Sequence, residues 1–404
     1  MNILVLNPGG NSLKAEVIGF DQKQSHAFMG TKLLSVGIDG IGRDQTFTQY
    51  KGKKAVSNEP IAARDYEQAA ESFLHWYENH SDANLPSWKQ IDAVAVRVVH
   101  GGPDFVQPIV IDSAVERRIT ELEKLAPLHN NSSIEVLKPL RDKFPGTLIF
   151  GVFDTAFHRT IPDYASLYAI PRDLADRHQI RRYGFHGISH RYLVERYAYL
   201  VGKPSEECNI VATHLESGCS VTAIARGKAV DNTMGLTPLE GLMMGTRSGD
   251  VDPSIIPLLM HEENMSVDSV MELLNKQSGL LGISEVSLDT RVLMRQYDKN
   301  PHVKLALDMF AYRVRKAVGA HLTVLGDADA IVFGGGIAEN SSFVRRCVCE
   351  GLRGFGVEID AEANTTLIDI EGKLSKTESR IEVWVIPTEE GLQIAHECCQ
   401  SFQK

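Results

Sequence analysis

Apolar runs and polar turns alternate along the chain in a pattern that predicts strands and helices in turn. Residues 2–6 (NILVL) form a short apolar run that ends in the turn-forming NPGGN, and residues 13–20 (LKAEVIGF) alternate as a second strand would. Residues 65–82 have helical periodicity, residues 91–99 predict a buried strand, and residues 113–127 predict an amphipathic helix. This alternation is typical of an α/β protein.

The opening hairpin pattern occurs twice. Residues 2–19 have an echo at residues 209–227 (NIVATHLESGCSVTAIARG), with one residue inserted, and both segments predict a strand, a glycine turn and a strand. We interpret this as duplication of one α/β unit. Two glycine hairpins facing a cleft would form an architecture suited to clamping a nucleotide.

Length and charge narrow the possible partners. With 404 residues, 43% of them hydrophobic, the chain has enough apolar material for two lobes. The net charge of −10 is spread along the chain, which argues against nucleic acid or an anionic membrane as a partner. No apolar run approaches the roughly 20 residues of a membrane span, and the start MNILVLNPGG lacks the features of a signal peptide. We therefore expect a cytoplasmic protein.

Three glycine-rich stretches are candidate phosphate loops: residues 7–12, 217–220 and 334–336. Backbone N–H groups in such turns can converge on an anion, and glycine allows a close approach. Tight turns of α/β proteins also use glycine without any ligand, so one loop alone is a weak signal. Three loops at corresponding places favour phosphate binding.

Three charged side chains occur where a strand or turn has no structural need for them. Arg97 interrupts a valine-rich strand, Asp154 follows the apolar run GTLIFGVF, and Arg247 lies in a glycine-rich loop. A buried ion pair is the alternative interpretation of Arg97. Arginines around an aspartate suit phosphoryl transfer, which needs alignment and cations more than covalent chemistry. An ionised carboxylate acceptor would need no general base.

Two histidines, His186 and His190, are four residues apart, a spacing that zinc ligands have on a helix. The acidic residue of a zinc-protease motif is missing, and Gly187 indicates a turn. His186 is therefore better interpreted as a hydrogen-bond donor to phosphate.

Long motifs make the chain resemble the acetate kinase family of the acetate and sugar kinase superfamily, which has the actin-like ATPase fold. They extend over nearly the whole chain: RVVHGG (97–102), APLHN (126–130), FDTAFH (153–158), RRYGFHGISHRY (181–192), MGLTPLEGLMMGTRSGDVDP (234–253), SGLLGISEVSLDTR (278–291) and GGGIAEN (334–340).

The resemblance implies an α/β fold of two lobes around a central cleft, each with a duplicated ribonuclease H-like βββαβαβα unit. Residues 1–152 would form the N-terminal lobe, and residues 153–386 the C-terminal lobe with the nucleotide site and the dimer interface. Residues 387–404 would form a helix that returns to the first lobe. The implied reaction is reversible, ATP-dependent phosphorylation of acetate to acetyl phosphate by a homodimer with Mg²⁺, Mn²⁺ being an alternative ion.

The resemblance also implies residue roles by position. The catalytic residues would be Arg97, Asp154, His186 and Arg247, and His129 would support the phosphate region. Asn7 and Glu390 would lie near the metal ion. The pocket for the acid would be lined by Val99, Leu128, Phe185 and Pro238, with Arg97 binding the carboxylate. The nucleotide would contact Ser12, Lys14, His214, Ser217, Gly218, Asp289, Arg291, Gly336, Ile337 and Asn340.

Two phosphate loops depart from the usual family sequence. The first is NPGGNSLK where N-x-G-S-S-S-L-K is usual, so Gly10 and Asn11 replace serines. The second is HLESG where H-L-G-N-G is usual, which introduces Glu216 and Ser217. A carboxylate beside phosphates is unfavourable unless it points away or holds a cation. The alternatives are a slower acetate kinase, a changed phosphoryl donor, or a nucleotide-binding paralogue with reduced catalysis. A propionate or other short-chain acyl kinase is a further alternative.

Overall fold

The computed structural model describes residues 1–21, 26–42, 45–51, 54–61, 63–79, 85–124 and 130–402. They form two compact units: Met1–Ala156 together with Glu389–Lys404, and Phe157–Thr388. The predicted boundaries at residues 152 and 386 lie slightly before these divisions, so Asp154 belongs to the first unit and not to the second.

The first unit is built on an eight-stranded sheet. Its strands are β1 (Asn2–Pro8), β2 (Ser12–Gly19), β3 (Thr31–Asp39), β4 (Gln45–Lys51), β5 (Lys54–Ile61), β6 (Ala93–Val98), β7 (Ile109–Val110) and β8 (Ile149–Phe153). Its helices include α1 (Tyr66–Asn79), α2 (Ser113–Glu121), α3 (Asn130–Glu135) and α4 (Leu137–Lys143). The run Ile3–Leu6 in β1 is fully buried, as expected for a central strand with both faces covered.

The second unit is built on a six-stranded sheet. Before this sheet come α5 (Asp163–Ser166), α6 (Arg172–His178) and α7 (Gly187–Val201). The strands are β9 (Ile210–Leu215), β10 (Cys219–Ala225), β11 (Lys228–Asn232), β12 (Ala330–Gly334), β13 (Gly372–Lys373) and β14 (Glu382–Val385). The other helices are α8 (Ile255–Glu262), α9 (Val267–Lys276), α10 (Gly279–Ser284), α11 (Thr290–Met294), α12 (Pro301–Leu325), α13 (Gly336–Asn340), α14 (Ser342–Glu350) and α15 (Ala361–Thr366).

The two sheets share one topology at their centres. In the first sheet the order is β3-β2-β1-β6-β8, and in the second it is β11-β10-β9-β12-β14. In each sheet three antiparallel strands are followed by two strands parallel to the first. The predicted duplicated α/β fold is confirmed, and the two glycine turns join equivalent strands.

Local sequence explains where several helices begin. The Asp112 side chain accepts hydrogen bonds from two backbone N–H groups of the first turn of α2. Asn300 does the same for α12, whose first residue is Pro301. Since proline lacks an N–H that the first turn would leave unpaired, both residues favour a helix start at this point.

The last helix, α16 (Glu390–Phe402), belongs to the first unit. It packs against β1 and β6, and its residues from Gly391 to Cys399 are all buried. Gly391 is required here, because a Cβ atom would lie 1.6 Å from Glu16 Oε2. The start of α16 is thereby brought to the carboxyl end of β1.

No helix in the described part of the chain combines the length and the hydrophobicity that a membrane span requires.

Candidate active site

A cluster of polar side chains lies at the carboxyl ends of the parallel strands of the first sheet. Arg97 of β6 donates from Nε to Asp154 Oδ2 at 3.1 Å, and its Nη2 bonds to the same oxygen. Arg97 Nη1 donates to Asn7 Oδ1 at 3.2 Å, and Asn7 Nδ2 donates to Glu390 Oε2 at 2.9 Å. Asp154 is fully buried, so the guanidinium compensates a charge that would otherwise be very costly.

This cluster offers the oxygen ligands that a magnesium ion prefers. Asp154 and Glu390 offer carboxylates and Asn7 an amide oxygen. Among the described residues no three His, Cys, Asp or Glu side chains form a ready ligand group. Mg²⁺ usually keeps several waters and binds substrate phosphates as well, so one or two carboxylates fit a magnesium–nucleotide complex.

The first glycine turn joins β1 to β2. Gly9 N donates to Ser12 O at 2.7 Å, which closes the turn. A Cβ atom on Gly10 would meet no atom within 4 Å, so the glycine there is not required for space. Lys14 follows with a side chain that is 45% exposed and with Nζ 3.4 Å from Glu16 Oε1. Ser12 and Lys14, both predicted phosphate contacts, therefore lie together at this turn.

The residues predicted to line the acid pocket are described in part. Val99 is buried just after β6 in the first unit. Phe185 is buried in the second unit, and its carbonyl bonds to His158 Nε2 at 2.9 Å. Pro238 is also in the second unit. Leu128 and His129 lie outside the described residues.

In the second unit, His186 and Arg247 meet above the second glycine turn. A Cβ atom added to Gly218 would lie 3.2 Å from His186 Nε2 and 3.3 Å from Arg247 Nη1. Arg247 Nη1 also donates to the Pro238 carbonyl at 3.1 Å. Glycine at position 218 thus leaves open a small space that faces a guanidinium and an imidazole. Such a space suits an anion.

His186 adopts a backbone conformation that is uncommon for a non-glycine residue. Its φ is 57°, and it forms the N-cap of α7. Residues held in the left-handed region cost stability and cluster at functional sites. The His186 ring packs on the ring of His214 with centroids 4.2 Å apart, and His214 Nδ1 lies 2.8 Å from Ser189 Oγ.

Sequence reasoning gave no role to two buried neighbours of His186. Ser220 Oγ lies 2.9 Å from His186 Nδ1 and 2.8 Å from His190 Nε2. Two sequence features could have drawn attention to these residues. They are the His-x-x-x-His spacing and the serine that follows the glycine turn in both hairpins. What joins them is a contact between β10 and α7, elements that are distant in sequence.

A cavity of about 420 Å³ in the second unit brings together six of the predicted nucleotide residues. These are Ser217, Asp289, Arg291, Gly336, Ile337 and Asn340. Glu216, Leu288, Thr290, Met294 and Ser341 complete the lining. The mixture of apolar side chains and convergent polar groups is typical of a small-molecule site.

Neighbouring side chains fix two walls of this cavity. Asp289 accepts hydrogen bonds from Arg291, which hold the pKa of its carboxyl below the usual range. The buried carboxylate of Glu339 accepts from Gly335 N and Thr388 N, both at 2.9 Å. Glu339 had no predicted role, yet it holds the backbone of the third glycine loop in place.

Comparisons with known proteins show the family of the chain. The model of the acetokinase family matches residues 2–396. An acetate kinase of Chloroherpeton thalassium is 42% identical over 408 residues, covering 98% of each chain. The crystal structure of Porphyromonas gingivalis acetate kinase is 35% identical, with a TM-score of 0.89 over 100% of both chains. A propionate kinase from Francisella tularensis is also 35% identical, with a TM-score of 0.88 over 98% of both.

Proposed function

Because this chain belongs to the acetokinase family, we propose that it transfers the γ-phosphoryl group of ATP to acetate, forming acetyl phosphate and ADP reversibly. The turn at residues 216–218 carries the proposal. Ser217 lines the nucleotide cavity, and the adjacent Gly218 faces Arg247 and His186. A nucleotide in the cavity would therefore have its phosphates directed along this turn toward the Arg247 guanidinium and the His186 imidazole.

The proposed roles follow from the chemistry of the transfer. Acetate is ionised at neutral pH and attacks without a general base, so the protein has to align it and offset charge. Arg97 and Arg247 would bind the acceptor carboxylate and the transferring phosphoryl group. His186 would donate a hydrogen bond to the phosphoryl oxygens. Val99, Phe185 and Pro238 would contact the methyl group.

We propose Mg²⁺ as the metal, with Mn²⁺ as a substitute. Asp154 and Glu390, linked through Asn7 and Arg97, would hold it directly or through water. When bound, the ion would offset charge on the nucleotide phosphates. Arg97 holds the Asp154 carboxylate in a fixed orientation through two hydrogen bonds to Oδ2.

Propionate is the second candidate acceptor, because a propionate kinase is among the structures most similar to this chain. One methylene in an apolar pocket changes discrimination by only about 1–3 kcal/mol. The ratio of kcat/KM for acetate and propionate, measured on one preparation, decides between them.

A homodimer in the cytoplasm completes the proposal. The support for the dimer is α8, in which Ile255–Met260 are all apolar and no residue is buried within the chain. A surface helix of a monomer normally buries its apolar face.

The test is steady-state formation of acetyl phosphate with Mg²⁺ and acetate, comparing ATP, other nucleotides and pyrophosphate as donors. We expect turnover with ATP. Arg247→Ala should lower kcat/KM on the order of 10³-fold, because a cation beside the transferring group is lost. Arg97→Lys, which keeps a charge beside Asp154 but loses the planar fork, should lower it on the order of 100-fold.

Arg118→Ala is the matched control, since Arg118 is an arginine of the first unit that pairs with Asp104 and Glu121 outside this site. It should leave turnover unchanged. Tight nucleotide binding without turnover, or turnover with pyrophosphate alone, would contradict the proposal and favour a changed donor or reduced catalysis.

A further inference from the structure

A serine hydroxyl lies between two histidine rings in the core of the second unit. Ser220 Oγ is within hydrogen-bond distance of His186 Nδ1 and His190 Nε2, at 2.9 and 2.8 Å. Ser220 and His190 are fully buried, and His186 is nearly so. Neither Ser220 nor His190 has a role in the proposed function.

The fold fixes this arrangement from two sides. His186 is the N-cap of α7 and His190 lies in its first turn, and the side chains of both reach Ser220 Oγ. Ser220 in β10 pairs with His214 in β9, so both side chains lie on the face of the sheet that α7 covers. The His186 ring therefore lies between His214, against which it packs, and the Ser220 hydroxyl.

Burial determines the state of His190. Desolvation lowers its pKa well below the ordinary range, so the ring is neutral and has one N–H. Within the described part of the chain, His190 Nδ1 has no hydrogen-bond partner. Buried N–H groups without an acceptor are rarer and costlier than unused lone pairs. The proton therefore lies on Nε2, which donates to Ser220 Oγ.

The hydrogen bonds of Ser220 determine which ring nitrogen of His186 has the proton. Once Ser220 Oγ accepts from His190, its own proton is directed to the other neighbour, His186 Nδ1. A neutral His186 whose Nδ1 accepts must have its proton on Nε2. That nitrogen is the one that faces the space above Gly218 beside Arg247.

We infer that Ser220 and His190 are positioning residues that hold His186 in the tautomer with the proton on Nε2, where it donates to the phosphoryl group in transfer. The identity of the acceptor rests on the proposed function, whereas the placement of the proton does not. A donor fixed before substrate binds needs no reorganisation during the reaction. The opposite tautomer would present a lone pair to the phosphoryl oxygens and repel them.

The kinetic test uses two substitutions at one position. Ser220→Ala removes the link, and we expect kcat to fall about 10- to 100-fold, while KM for acetate and ATP changes less than about twofold. Ser220→Thr keeps a hydroxyl and should recover most of the lost kcat. Thr213→Val is the control, because it removes a buried hydroxyl of β9 that has no partner among the described residues. It should leave kcat unchanged.

The spectroscopic test is ¹⁵N NMR of the whole protein labelled at histidine, with the His186 signals assigned by their loss in His186→Asn. The wild type should show the proton of His186 on Nε2, and Ser220→Ala should show a mixture of tautomers. A wild-type proton on Nδ1, or an unchanged kcat in Ser220→Ala, would overturn the inference.

The two tests separate failure of this inference from failure of the proposed function. If the protein fails to phosphorylate acetate, the proposed function is wrong, and the spectrum still decides where the proton lies. If Ser220→Ala does not fold, the spectra of the wild type and of Ser220→Thr still decide the inference. A Ser220→Thr variant that folds normally but shows a proton on Nδ1 of His186 would contradict it.

Discussion

Glu216 places a negatively charged side chain in the lining of the nucleotide cavity, where phosphates would be repelled. Its Oε2 lies 3.6 Å from His214 Nε2, and its side chain is 62% exposed. A Cβ atom on Gly336 would lie 3.7 Å from Glu216 Oε1, so the carboxylate extends from the β9–β10 turn toward the third glycine loop. It therefore adds negative charge to a cavity that we propose binds a polyanion.

We predict that Glu216→Gln and Glu216→Gly lower KM for ATP about two- to fivefold, because a partly exposed charge repels phosphate only modestly. Added salt should narrow the difference from the wild type, since screening weakens the repulsion. KM is measured from initial rates at saturating acetate. The control Glu285→Gln removes an exposed carboxylate that does not line the cavity and should leave KM unchanged. A KM that rises in both Glu216 variants would mean that the carboxylate assists binding, for instance through a cation.

Single elements were predictable from the sequence where the signal was local. The run NILVL, the glycine turn and the following alternation indicate the β1–β2 hairpin, and the echo at residues 209–227 indicates its equivalent β9–β10. The strands β4 and β5, which extend the first sheet, were not predicted, because their short mixed segments have no clear period.

Motifs predict which residues form the candidate site and which of them lie near one ligand, but they do not predict the hydrogen bonds between these residues. The hydrogen bond between Asn7 and Glu390 joins residues 383 positions apart. The link from His190 through Ser220 to His186 depends on α7 packing over β10. Such contacts arise from the fold, and no characteristic spacing in the sequence reveals them.

The packing around α7 buries neutral histidines, which makes the second unit sensitive to acid. His158 is buried against His190, with ring centroids 5.8 Å apart, and its Nε2 bonds to the Phe185 carbonyl. Burial lowers the pKa of His158 to about 4 from its ordinary 6.5. Between these two values the unfolded chain binds the proton and the folded chain does not, so the stability contribution is complete above pH 6.5 and lost as pH falls toward 4.

We predict that this histidine alone lowers the free energy of unfolding by about 2 kcal/mol between pH 7 and pH 5. Glutamine at this position can still donate to the Phe185 carbonyl but does not titrate. Between pH 7 and pH 5 the free energy of unfolding of His158→Gln should therefore fall by about 2 kcal/mol less than that of the wild type. Urea unfolding at the two pH values measures the difference. His178→Gln, at an exposed position on α6, should behave like the wild type. An equal loss in His158→Gln and the wild type would show that the acid sensitivity lies elsewhere.

At the scale of the whole molecule, α8 leaves an apolar surface that one chain does not cover. Leu258 is 57% exposed and Met260 38%, and no residue of the helix is buried. On the neighbouring α9, Val267 and Met271 are exposed as well. Contiguous apolar surface of this kind marks an interaction site, and a second copy of the chain is the partner we propose.

We predict that the wild type has the mass of a dimer in light scattering at micromolar concentration and that Leu258→Asp shifts it toward the monomer. A charge at the centre of an apolar interface would be desolvated without a partner in both copies, because a twofold contact uses the same surface twice. Leu148→Asp provides the control, since Leu148 is a comparably exposed leucine of the first unit. A monomeric wild type, or a Leu258→Asp variant with the same mass as Leu148→Asp, would exclude α8 as the dimer contact. The exposed helix would then have to be covered by a different partner.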